Sequence, residues 1–179
     1  GVGAPSNGSE GATNAARKPM LDIEARFRIE SENVGDSVRR LHALVERAHG
    51  YVVQESISTD QYSPPQADLT LRVPATDARK FFSELESLGQ LRGRNVESKD
   101  IGKDYFDAEL RLQTLEQSRI RYEELLTKAT SVEDTVAVQA RLEELRERTE
   151  TLKGEIRWLR DRAAQATVHV NFFSPQSVV

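Results

Sequence analysis

Two imidazoles and a carboxylate, His42, Glu46 and His49, fall at i, i+4 and i+7 of one amphipathic stretch. On a helix this spacing lines them along a single stripe, the way side chains from successive turns hold a divalent ion. The stripe borders the apolar positions Val38, Leu41, Leu44 and Val45 and runs on into charged ones. Such a stripe on a charged helix is more often wet surface, so His42, Glu46 and His49 are candidate ligands only, and no cofactor is expected. The remaining histidine, His169, sits at a polar position of a late alternating segment and has no evident partner in the sequence.

Catalytic constellations are harder to assemble. There is no phosphate-cradling glycine-rich loop, nucleophile elbow or zincin histidine pair. Carboxylates abound, but pairs such as Glu143 with Glu147, or Glu144 with Arg148, have the one-turn spacing of a solvated helix face. Cysteine is absent, which removes disulfides, thiolate metal sites and thiol nucleophiles together and leaves the redox compartment open. The expectation is a protein that is not an enzyme. With 25 basic and 29 acidic residues the net charge is -4, against the basic surplus of a general nucleic-acid binder.

The elements that must carry these residues are readable in order. Residues 1–19 hold no large apolar side chain beyond Val2 and read as a flexible leader or tether. The chain begins at Gly1 and has Met20 as its one methionine, which reads as a processed form or an arbitrarily bounded piece. Leu21 to Glu30 alternates apolar and charged residues strictly, the pattern of a half-buried strand. Asn33 can cap a helix whose apolar face is Val38, Leu41, Leu44, Val45 and Ala48, and Gly50 is placed to end it. Tyr51 to Ser58 is a second strand, and Asp60 to Ala67, with Pro64 and Pro65, a loop.

The unit then repeats. Leu69, Leu71 and Val73 alternate in a third strand; Ala78, Phe81, Phe82, Leu85 and Leu88 face one way on a second helix that Gly89 closes; Gln90 to Ser98 is a weaker strand with room for a bulge near Gly93 and Asn95. Strand-helix-strand twice over predicts an α+β fold with a ferredoxin-like βαββαβ sandwich. No aromatic ring falls on the polar face of the first and third strands (Asp22, Glu24, Arg26, Arg28, Thr70 and Arg72), so a base-stacking RNA platform is not expected. Ala166 to Phe173 alternates again and predicts a final strand returning to the sheet.

Between them the period changes. Val138, Leu142, Leu145, Thr149, Leu152, Ile156, Leu159 and Ala163 recur at steps of four and three, and so do Ala108, Leu112, Leu115, Arg119, Tyr122, Leu126 and Ala129. Ser131 with Asp134 three residues on starts the second run as a capping box would. The two runs predict a long antiparallel helical coiled-coil hairpin over 103–164, each arm about 45 Å long. Positions across such a hairpin have numbers summing to roughly 262, which sets the polar seam residue Arg119 near Glu143 or Glu144 and Thr149 near Gln113. Trp158 is expected to flank the seam and pack toward the sheet. The organisation expected is therefore a leader, 1–19; an α+β sandwich, 20–102 with 165–174; the hairpin, 103–164; and a tail, 175–179.

Several local phrases, in order, resemble the bacterial domain-of-unknown-function 4349 family: Leu69-Thr-Leu-Arg-Val-Pro74, Val96-Glu-Ser-Lys-Asp-Ile101, Tyr105-Phe-Asp107, Arg111-Leu112, Val132-Glu-Asp134, Gly154 with Trp158-Leu159, and Ala166-Thr-Val-His-Val170. The resemblance runs from Met20 to Phe173. Gly102 stands where the family typically carries threonine, so the cap of the first long helix is expected to differ. The resemblance brings no catalytic residues. It implies an envelope lipoprotein or membrane-anchored protein outside the cytoplasm, tethered by a segment beyond this chain. On this reading the chain is an extracytoplasmic scaffold or protein-interaction module whose hairpin is a spacer or docking arm. Its partner would be another protein, and it would be a monomer or a hairpin-mediated dimer. The alternative is a sensor or regulatory module with a small-ligand or metal site on the globular part.

Overall fold

The computed structural model describes residues 19–175. The expected leader and tail lie, save for Pro19 and Pro175, outside the described residues. The described elements are β1 (Leu21–Glu30), α1 (Val34–Arg47), β2 (Tyr51–Ser58), β3 (Gln66–Pro74), α2 (Ala78–Leu85), β4 (Gln90–Asp100), α3 (Gly102–Lys128), α4 (Val132–Ala164) and β5 (Gln165–Phe173). The fold is α+β, with one mixed sheet of five strands in the order β2-β3-β5-β1-β4. The last strand therefore enters the middle: β5 runs parallel to β1 and antiparallel to β3, while β1–β4 and β2–β3 are antiparallel.

Strict alternation decides which face is buried. Ala25, Phe27 and Ile29 of β1, Leu69, Leu71 and Val73 of β3, and Val168, Val170 and Phe172 of β5 point one way into a core shared with the helices. Val38, Leu41, Leu44 and Val45 of α1 and Phe81, Phe82 and Leu85 of α2 complete it. At roughly 2 kcal/mol for each fully buried large side chain, this face supplies most of the driving force for the sheet. Ser31 and Ser37 hydrogen-bond each other inside it, so the buried hydroxyls have partners.

Helix starts follow the capping residues. Asn33 Oδ1 accepts the Asp36 amide at 3.0 Å, and Ser131 Oγ accepts the Asp134 amide at 3.1 Å. At α3, where no side chain of the cap residue Ile101 can serve, the Asp100 carboxylate accepts the Gly102 amide at 2.9 Å. Gly89 caps the 3-10 turn Glu86–Leu88 that continues α2, as expected. The stop of α1 differs: His49, not Gly50, takes the left-handed conformation after it, at φ 61°. Both glycines also serve close approach: a Cβ at Gly50 would lie 2.5 Å from the Arg72 carbonyl oxygen, and one at Gly89 2.5 Å from that of Glu30. A bulge does occur in the β1–β4 ladder, where Leu91 to Gly93 spans Ile29 and Arg28.

α3 and α4 lie side by side, so that Tyr105 near the start of one meets Arg160 near the end of the other. Their buried residues, Ala108, Leu152, Ile156 and Leu159, gather with Ile101 at the end nearest the sheet. From Glu109 to Thr151 every side chain is exposed or only half-buried. The inner line of α3 also departs from the expected one. Ser118 is half-buried and Arg119 exposed, its guanidinium 2.8 Å from Glu123 one turn on. Steps of three and four can be taken in either order between Leu115 and Tyr122, and the shorter polar side chain takes the inner position while arginine keeps water. Glu143 and Glu144 pair within α4, with Arg146 and Arg141.

The pair of helices joins the sheet through buried charge. Arg72 donates to Thr167 Oγ1 at 3.2 Å, to the Asp161 carbonyl at 3.0 Å and to its carboxylate at 3.2 Å. Arg162 of α4 meets Asp22 at 3.2 Å.

Candidate functional site

Side chains that alternate away from the core make the second face of the sheet. Cross-strand register sets them in rows. One row reads Thr70, His169, Arg26, Asn95; the next reads Asp68, Asn171, Arg28, Gly93. Sheet twist makes the two rows the floor of an open concavity of 480 Å³. The base of α4 covers the neighbouring end of the same face, over Asp22, Arg72 and Thr167.

Most polar groups in the rows are spoken for. His169, expected to stand alone, has two partners: Nε2 lies 3.1 Å from Glu24 and Nδ1 3.3 Å from Thr70. Glu24 also takes Arg26 at 3.1 Å, and Asn171 donates to Asp68 at 2.8 Å. Arg28 differs. Its guanidinium lies over the Phe173 ring at 4.3 Å, and no carboxylate among the described residues pairs with it. Phe173 is therefore a ring on the polar face, supplied by the fifth strand rather than the first or third. The parity of Ala166 to Phe173 could have shown this, since His169 and Phe173 share an odd position.

The proposed metal stripe does not close. His42, Glu46 and His49 are all exposed, and His42 instead bonds Glu55 of β2 at 3.0 Å. Among the described residues no three or more His, Asp or Glu side chains stand close enough together to hold a metal ion.

A second concavity, of 670 Å³, runs along one side of α3 and α4. Leu115 and Leu152 are its floor; Leu110, Thr114 and Thr151 line it; Arg111, Glu147, Arg148 and Glu155 rim it. None of these four charged side chains has an ion-pair partner among the described residues. Leu110 is 63% exposed, although apolar. Trp158 of α4, expected against the sheet, is 59% exposed, with Arg162 5.7 Å from its ring. Gly154, one turn before Trp158, has nothing within 4 Å of where a Cβ would be. Leu110 falls outside the four-three rhythm of α3, and that displacement was the available sequence signal.

No helix among the described residues is long and apolar enough to cross a membrane. The architecture defines a mixed-sheet α+β protein with a long helical pair between its fourth and fifth strands. The chain belongs to the DUF4349 family, described as a domain of unknown function, whose profile matches residues 20–179. No curated protein and no solved structure matches the chain.

Proposed function

We propose that this chain is a non-enzymatic scaffold or protein-interaction module of the bacterial envelope, held outside the cytoplasm by a tether beyond the chain. In this reading α3 and α4 form an antiparallel coiled-coil hairpin that serves as a spacer and docking arm. The sheet is a ferredoxin-like order, β2-β3-β1-β4, opened between β3 and β1 to admit β5.

The observation that carries the docking role is the groove along the arm. Its apolar floor is bounded by charges without ion-pair partners among the described residues, and Leu110 in its lining stands exposed. An apolar strip with a charged rim is the surface into which an amphipathic helix lays its own apolar face. A glycine in a helix interior costs about 1 kcal/mol relative to alanine, and among the described residues nothing packs within 4 Å of where a Gly154 Cβ would stand. Close approach by a partner supplies the reason.

A photo-crosslinking residue placed at Leu110 or Thr151 in intact producing cells should yield a discrete protein adduct, and one placed at Gln54 on β2 should not. Arm positions that give no adduct would refute the docking role. A second reading, a sensor module with a small-ligand site, is favoured by the concave polar face of the sheet.

A further inference from the structure

We infer that the open face of the sheet holds a carboxylate-binding site centred on Arg28. The inference deepens the sensor reading and is independent of the docking arm.

The free guanidinium is the first ground. Arg26 is neutralised by Glu24, Arg72 is consumed by Thr167 and Asp161, and Arg94 pairs with Glu86 at 2.7 Å. Arg28 alone among the described arginines near the concavity has no carboxylate partner among the described residues. Stacking on Phe173 is the second ground. It holds the guanidinium head over the ring, so that the rotamer entropy of a surface arginine is partly spent before a ligand arrives. The edges of a guanidinium present paired N–H groups matched to the two oxygens of a planar carboxylate.

The third ground is the space in front of it. Directly across the ladder from Arg28 stands Gly93, which has no side chain to fill the concavity. A Cβ there would lie 3.5 Å from the Arg28 Cβ, an ordinary contact, so nothing in the fold demands glycine. The missing side chain leaves the guanidinium edge open to the cavity. Asn95, exposed two residues on, and the Arg26 head two residues back along β1 stand beside the same opening. Asp68 bounds the far side of the concavity, where Asn171 already bonds it. The ligand is therefore anionic at the Arg28 end and small, since 480 Å³ accommodates only a compact molecule.

Citrate and inorganic phosphate serve as probes, the first carrying planar carboxylates and the second a tetrahedral oxyanion. Titration followed by amide NMR shifts should show citrate binding centred on Arg28, Gly93 and Asn95, and weaker binding of phosphate. Arg28→Gln removes the fork and should weaken citrate binding by about tenfold or more. Arg28→Lys keeps the charge and should still lose most of the binding, which separates recognition of the carboxylate plane from mere attraction. Gly93→Val fills the opening with a residue that favours strands, so it should abolish binding while thermal stability holds or rises. Citrate binding that is absent, or that survives both Arg28→Gln and Gly93→Val, would overturn the site. Phosphate binding as tight as citrate would overturn its carboxylate specificity. Neither result touches the crosslinking outcome on the arm.

Discussion

Replacing Arg72 tests how the helical pair is fastened to the sheet. Its side chain is 10% exposed and Asp161 64% exposed, so the two ends of the contact lie in different media. In Arg72→Ala, the bonds to Thr167 Oγ1 and to the Asp161 carbonyl are lost, at about 1 kcal/mol each. The Asp161 carboxylate simply rehydrates, so its share is about 0.5 kcal/mol or less. Removing the buried methylenes of the stem adds about 1.5 kcal/mol. Against this, shedding the buried Nε, which has no hydrogen-bond partner among the described residues, returns about 1 kcal/mol. The sum is about 3 kcal/mol, or a fall in Tm of roughly 6–12 °C for a protein of this size. Arg72→Met sheds the same donor but keeps the stem, so the methionine variant should lose only about 1.5 kcal/mol. Asp161→Ala should lose less than about 1 kcal/mol. Urea denaturation of the three variants measures this directly. Asp161→Ala as damaging as Arg72→Ala would place the energy in the ion pair and refute the reasoning, and so would a methionine variant no better than alanine.

Three further outcomes follow from local geometry. Gly50→Ala and Gly89→Ala should each destabilise by about 1–3 kcal/mol, because the new Cβ meets a carbonyl oxygen, whereas Gly154→Ala should stabilise by about 1 kcal/mol; chemical denaturation ranks the three. His49→Gly should raise stability by about 1 kcal/mol by relieving a left-handed residue that carries a Cβ, read as a higher denaturation midpoint. Ser118→Leu should raise the melting temperature and Arg119→Leu leave it nearly unchanged, and a double-mutant cycle of Arg119 with Glu143 should give coupling near zero.

Patterns that repeat within a few residues were legible in the sequence. The alternation from Leu21 to Glu30 appears as β1, and the Asn33 and Ser131 caps close hydrogen bonds as read. What pairs distant residues was not. The arrival of β5 between β1 and β3 depends on which strand edges remain open, and alternation carries no information about neighbours. Gly50 reads as the αL stop of α1 because glycine there has two physical uses, and only the approach of Arg72 from elsewhere chooses close packing. At Arg119 a one-residue ambiguity in a four-three rhythm moved a charge from the inner line to solvent. Arg28 was visible as a charge on the polar face, but its partner Phe173 lies on the last strand, so the stacked pair emerges only with the sheet assembled.

The placement of β5 also orders events in time. The ribosome delivers β1 first and β5 last, yet β1 must pair with β5 to occupy its native place. At about 5–20 residues per second, every earlier strand waits several seconds with an open edge while α3 and α4 are made. Until then the edges of β1 and β3 that will flank β5 can meet only each other or a strand of another chain, and a slot between them must be held or reopened. The long helices, whose contacts with one another are local, can form during that wait and carry the final segment back to the start of the sheet. Nascent chains stalled before Gln165 should therefore be protease-sensitive throughout the strands and protected in the helical pair.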